Sequence, residues 1–142
     1  SMKIQYCKLE HGNIATAYFE EDEATALIRS QQYVYNVLNG ESTYGFVADG
    51  YIVNSSLVRV FVDVPVQMKG TPTLTTSGTF EITNGDSGFS SEVSVFSVNN
   101  LFCSKNKISI NIGGATGLPS TSYVVLRCKN NANGSFVLSC EP

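Results

Sequence analysis

From Leu57 to Met68 the chain alternates without interruption. Val58, Val60, Val62, Val64, Val66 and Met68 fall on one side; Leu57, Arg59, Phe61, Asp63, Pro65 and Gln67 fall on the other. A period of two held this long describes a strand with one buried face, because successive side chains of extended backbone point to opposite faces. A helix would scatter the same valines around its circumference. The spacing therefore predicts one strand over 57–68 with its valine face in a core. Pro65 lies on the opposite side and lacks a ladder donor, which implies a sheet edge or a bulge near it.

Shorter runs extend this pattern along the chain. Tyr44–Val47 and Gly50–Val53 read as strand material interrupted by a bulge at Asp49–Gly50. Thr79–Thr83 would turn Phe80 and Ile82 inward, Glu92–Val95 would turn Val93 and Val95 inward, and Lys107–Ile112 would bury Ile108, Ile110 and Ile112. Tyr123–Cys128 and Ser135–Cys140 flank the turn sequence Asn130-Asn-Ala-Asn-Gly134 and read as a closing hairpin. That pairing would set Cys128 opposite Cys140, with Leu126 and Leu138 on the same face. Asn84-Gly-Asp-Ser-Gly88, Asn99-Asn100 and the glycine-rich stretch 113–119 separate the remaining runs. Many short strands joined by Gly/Asn turns, with no alternation of strand and helix, predict an antiparallel β-sandwich or barrel.

One helix precedes it. Asp22 is placed to act as an N-cap, and Glu23–Gln32 lacks Gly and Pro. Ala24, Leu27, Ile28 and Gln31 share one face in a narrow stripe, so such a helix needs a surface to dock on. Residues 22–142 form the domain. Residues 3–12 read as an extended stretch closed by Gly12, and 13–21 as a connector; Ser1-Met2 has the form of a cloning remnant, so 1–21 reads as a scar plus a connector from an upstream domain.

Composition narrows the function. The 142 residues suffice for one domain with a sizeable core. Net charge is −3 with no basic run, which argues against nucleic-acid binding, and no apolar stretch is long enough to insert into a membrane. Cys7, Cys103, Cys128 and Cys140 lie far apart and His11 is the sole histidine, so neither a metal site nor a cofactor is expected. A Ser–His–Asp arrangement would have to use His11 in the connector. The acids Asp49, Asp63, Glu81, Asp86, Glu92 and Glu141 occupy outward strand positions, turns or a chain end and read as solvated surface rather than a paired-carboxylate site. Gly113-Gly114 and Gly117 are followed by no Gly-Lys-Ser/Thr, so no phosphate cradle is expected. What remains is a binding or assembly surface. Tyr44, Tyr51, Phe89 and Tyr123 lie near turns or strand ends, where rings can stack on the apolar faces of sugars, while Asn84 and Asp86 can hydrogen-bond hydroxyls. The same rings can instead be core or interface packing.

Three segments bear a resemblance. Leu9-Glu10-x-Gly12-x-x-Ala15-Thr16, then Ser30-Gln-Gln-Tyr-Val34, then Pro65-x-x-Met68-Lys69-x-x-Pro72-Thr73 follow in order, and the chain closes on Leu138-Ser-Cys-Glu141-Pro. Together they resemble the C-terminal domain of bacteriophage tail-fibre and related virion proteins, which reads Leu-Glu-x-Gly-x-x-Ala-Thr-Pro-Phe, Cys-Gln-Arg-Tyr-Tyr and Pro-x-x-Met-Arg-x-x-Pro-Thr. Ala17-Tyr18 replaces Pro-Phe, and Gln32 stands where that family has Arg. The resemblance implies a jelly-roll-like sandwich at the tip of a fibre, commonly a homotrimer, attached to upstream fibre domains in the virion. It implies attachment to the host surface, often to a cell-surface glycan, and it does not imply enzymatic activity, so none is expected. In that setting the helix docks either on its own domain or near a threefold axis. Cys128 and Cys140 are core side chains or, against the reducing cytoplasm in which virions assemble, a disulfide; the sequons at Asn54 and Asn133 have no meaning there. Two rival readings are a trimerisation cap without receptor contact and a fragment of a glycan-degrading tailspike.

Overall fold

The computed structural model describes residues 21–39, 44–84, 89–119, 122–130 and 134–140. Helix α1 (Glu23–Gln31) leads into ten strands: β1 (Val34–Asn39), β2 (Phe46–Asn54), β3 (Leu57–Asp63), β4 (Thr73–Ser77), β5 (Phe80–Thr83), β6 (Ser90–Val93), β7 (Val95–Val98), β8 (Lys107–Gly113), β9 (Tyr123–Cys128) and β10 (Ser135–Ser139). They form two antiparallel sheets, one ordered β1-β10-β4 and the other β6-β5-β9-β2-β3-β8-β7. The chain is thus an all-β sandwich preceded by one short helix. Asn54 lies at the end of β2, while Cys7, His11 and the motif residues of 1–20, Asp86, Asn133, Glu141 and Pro142 lie outside the described residues.

The core follows the alternation. Val58, Val60 and Val62 of β3 face Ile112, Ile110 and Ile108 of β8 across the ladder, and all six are buried. Ala48 and Ile52 of β2 and then Val124, Leu126 and Cys128 of β9 continue the buried face, and Phe136 and Leu138 of β10 join it from the smaller sheet.

The larger sheet rolls until its edges meet. β6 and β7 are its opposite edges, yet Ser94 alone separates them in the chain. Laid flat, seven strands would hold their edges roughly 29 Å apart. Three rings pin the closure. Phe80 of β5, Phe96 of β7 and Phe136 of β10 meet edge to face with centroids 5.6, 5.6 and 5.7 Å apart, the arrangement that ring quadrupoles favour.

The expected strands needed correction in four places. The strand expected over 57–68 ends at Asp63. Val64 N–H still donates to Asn106 O (2.9 Å), but Pro65 has no N–H to continue the ladder, and the chain then turns so that Lys69 N–H donates to Gln32 O (3.0 Å). Val64 and Met68 remain buried, whereas Val66 is only half-buried. The run 92–95 is not one strand. The break at Ser94 shifts the inward phase by one residue, so Val93 and Phe96 face the core and Val95 is 57% exposed.

No bulge occurs at Asp49–Gly50. Both residues pair normally with β3 and β9, and the irregularities fall at either end of β2 instead. Gly50 serves close packing: a Cβ there would lie 1.9 Å from Arg59 O. β9 and β10 do not form a hairpin. β9 pairs with β2 and β5 while β10 pairs with β1 and β4, so the two strands belong to different sheets. Cys128 and Cys140 are therefore not partners across a ladder. Both are buried free thiols, and Cys140 Sγ donates to Gln32 O (3.1 Å).

α1 starts as expected: Asp22 Oδ2 accepts from Thr25 N–H (3.1 Å). It does not dock its stripe. Ala24, Leu27 and Ile28 are exposed and no residue of the helix is buried. Leu27 and Val34 line a groove of about 350 Å³ between α1 and β1.

Candidate binding face

Strand register decides which side chains share the outer face of the larger sheet. Tyr51 on β2 stands directly opposite Tyr123 on β9 and Arg59 on β3, and Arg59 stands opposite Asn111 on β8. Tyr123, Tyr51, Arg59 and Asn111 thus form one row across four strands. Tyr51 is 43% exposed and Tyr123 59%.

Each member of the row is fixed by its neighbours. Tyr51 OH accepts from Arg59 Nη1 (3.2 Å), and its ring tilts against Phe61 with centroids 6.1 Å apart. Arg59 Nε donates to Asn111 Oδ1 (3.2 Å). Tyr123 OH donates to Asp49 Oδ2 (3.3 Å). Lost hydration and the Asp49 carboxylate push the Tyr123 hydroxyl above its ordinary pKa, so it stays a neutral donor at physiological pH.

A 3₁₀ turn, Asn100–Phe102, closes one end of the row. Asn99 N–H donates to Ser109 O (2.8 Å), and the Asn99 side chain caps the turn by accepting from Leu101 N–H (3.2 Å). Asn99 Nδ2 also donates to Asn111 Oδ1 (3.3 Å). The turn lays the Phe102 ring over the guanidinium of Arg59, 4.0 Å from the ring centroid, within cation–π range.

A second cluster occupies the same face at the other end of β9. The Arg127 guanidinium lies 4.9 Å from the Tyr44 ring centroid. Arg127 Nε (2.8 Å) and Nη2 (2.7 Å) both donate to Glu81 Oε1, and Ser90 Oγ donates to Glu81 Oε2 (2.6 Å). Glu81 is 3% exposed, which corrects its reading as solvated surface. Burial alone would raise its carboxyl pKa, but the hydrogen bonds from Ser90 and Arg127 and the Arg127 charge outweigh burial and hold it below the ordinary range. Glu92 stands opposite Glu81 across β5/β6 and pairs with Lys129. A glycosidase acid must hold a proton at working pH; the ion-paired Glu81 is set the other way.

The expected ligand residues separate into three groups. Tyr51 and Tyr123 come together as cross-strand neighbours. Tyr44 lies beside Arg127, four residues along β9 from Tyr123, about 14 Å away. Asn84 and Phe89 flank the β5–β6 connection, and Phe89 is half-buried against the core. Asp86 lies outside the described residues.

The residues that complete the row, Arg59, Asp49, Asn111 and Phe102, were not expected. Arg59 had a readable signal: it is a cation in the outward column of the 57–68 alternation, flanked by Leu57 and Phe61. Phe102 had none, since its ring reaches Arg59 only through the conformation of the 3₁₀ turn that joins β7 to β8. Compared with known protein families, curated proteins and solved structures, the chain has no match in any of the three.

Proposed function

We propose that this chain is an attachment module that recognises saccharides non-covalently at the outer face of its larger sheet, as a fibre-tip domain of the kind its motifs resemble would. The observation that supports the reading is the pair Tyr51 and Tyr123. Two exposed rings stand side by side on a rigid sheet, each oriented through its hydroxyl to a charged neighbour. Such rings offer apolar surface to the C–H face of a sugar at low conformational cost. Asp49, Asn111 and the tyrosine hydroxyls supply acceptors and donors around them. A single such contact is weak; as a homotrimer on a fibre, simultaneous engagement of several copies would raise apparent affinity without new contacts. The upstream fibre domains and a virion location belong to the same proposal.

Binding of fluorescently labelled protein to bacterial cells and to their isolated surface polysaccharides tests the reading. The doubly substituted Tyr51→Ala/Tyr123→Ala chain should lose affinity by about tenfold or more, equivalent to about 1.4 kcal/mol, with an unchanged circular-dichroism spectrum. Unaltered binding by that variant, or no binding to any surface polysaccharide by the parent chain, counts against it.

A second reading, an assembly cap without receptor contact, is favoured by the uncovered apolar stripe of α1. It predicts a trimer in solution that shows no selectivity between cell types; a monomer at high concentration contradicts it.

A further inference from the structure

The row of aromatic and polar side chains contains a cation that the described residues leave uncompensated. Arg59 is half-buried. Its two hydrogen bonds run to neutral oxygens, Asn111 Oδ1 and Tyr51 OH, and its third contact is the Phe102 ring. A guanidinium has five N–H donors, so three remain, all on the terminal nitrogens, without a partner among the described residues. The other arginines differ: Arg29 pairs with Glu21 (2.6 Å) and Arg127 with Glu81. Asp49, on the neighbouring strand β2, accepts from Tyr123 instead.

We propose that Arg59 receives a carboxylate carried on a sugar ring, so that the saccharide recognised at this face is a uronate. This deepens the saccharide reading and rests on it. The planar fork of Arg matches a carboxylate with two parallel N–H···O bonds, a geometry that a lone ammonium cannot offer. Asn111, Tyr51 and Phe102 hold the fork in place before ligand arrives, so little side-chain freedom is lost on binding. Asp49 gives the row a direction. It repels a second carboxylate and accepts from hydroxyls, which orients the ring with its acid over Arg59 and its hydroxyls toward Tyr123 and Asp49. The chain carries net charge −3, so attraction of an acidic polymer would be local to this site and not a long-range effect of the whole surface.

The test uses the intact chain and three sets of oligosaccharides: uronate oligomers (galacturonate, mannuronate/guluronate and hyaluronan fragments), the same oligomers with carboxyls reduced to alcohols, and sulfated dextran fragments. Calorimetric titration should show at least one uronate set binding about tenfold or more tighter than its reduced counterpart, with Arg59→Gln abolishing the difference and Arg59→Lys restoring only part of it. Thermal melts of each variant confirm that the fold persists. Equal binding of acidic and reduced oligomers, or equal binding to sulfated dextran, overturns the carboxylate assignment while the saccharide reading stands. Binding to none of the sets, nor to any neutral surface polysaccharide, overturns both.

Discussion

At the scale of single residues, two positions show how far a strand pattern can mislead. Glu81 reads as an outward acid because Phe80 and Ile82 are plainly inward. It does point outward, yet Arg127, Ser90 and the neighbouring strands cover it. Removing its partner leaves a buried charge. Because the Arg127 end is partly solvated, Arg127→Leu should cost about 3 kcal/mol, at the low end for a broken buried pair, or roughly 10 °C in Tm. The double variant Glu81→Gln/Arg127→Leu should recover most of that loss; equal Tm values for the single and double variants contradict the pairing. The pH response has a definite sign. A carboxyl held below its ordinary range stabilises the fold above the unfolded-state value, about 4.3, and that contribution disappears as pH falls through the lowered folded-state value. The Tm of the parent chain should therefore fall below that range more steeply than the Tm of the double variant; parallel acid limbs would show that Glu81 is not the group responsible. Gly50 is the second position. Sequence reasoning takes a glycine inside a strand as a bulge, whereas here it admits the Arg59 carbonyl. The two cases look alike until the neighbouring strand is known.

At the scale of elements, legibility tracks periodicity. β3, β8 and β9 were readable because branched aliphatic residues alternate in them, and the buried faces match the expected Val58, Val60, Val62, Ile108, Ile110 and Ile112. The N-cap at Asp22 was readable because its chemistry is local. β4 (Thr73–Ser77) was missed: it is polar, half-exposed and defined only by its pairing with β10. The division of 90–98 into β6 and β7 was missed because sheet closure is a long-range event, and one serine marks it. The closing hairpin was misread for the same reason, since a strong turn sequence does not say whether the two strands it joins share a sheet. Val62 tests the expected core face. It is 1% exposed between Ile108 and the β2 side of the sheet, so Val62→Asp would bury an unpaired charge. Its circular-dichroism spectrum should lose strand signal at room temperature. A soluble variant with the parent spectrum and Tm would show that this face is not core.

At the scale of the molecule, the rolled sheet matters for what it leaves outside. One face of β2, β3, β8 and β9 is sealed by the smaller sheet and the Phe80, Phe96 and Phe136 cluster. The opposite face, freed of any core duty, carries Tyr123, Tyr51, Arg59 and Asn111 in register. Because each comes from a different strand, their spacing is set by the ladder and does not depend on loop conformation, which suits recognition of a rigid ring. Of this face, Tyr51 and Tyr123 were legible as aromatics near turns or strand ends, open to either ligand contact or packing; that they are exposed neighbours was not, because the β2–β9 pairing joins residues about seventy apart in sequence. The most direct test is amide chemical-shift mapping of the labelled chain during titration with bacterial surface polysaccharide fragments. Shifts concentrated at Asp49, Tyr51, Arg59, Asn111 and Tyr123 are predicted. Shifts confined to the β1-β10-β4 sheet or to α1, or no shifts at saturating saccharide, would contradict the assignment of this face.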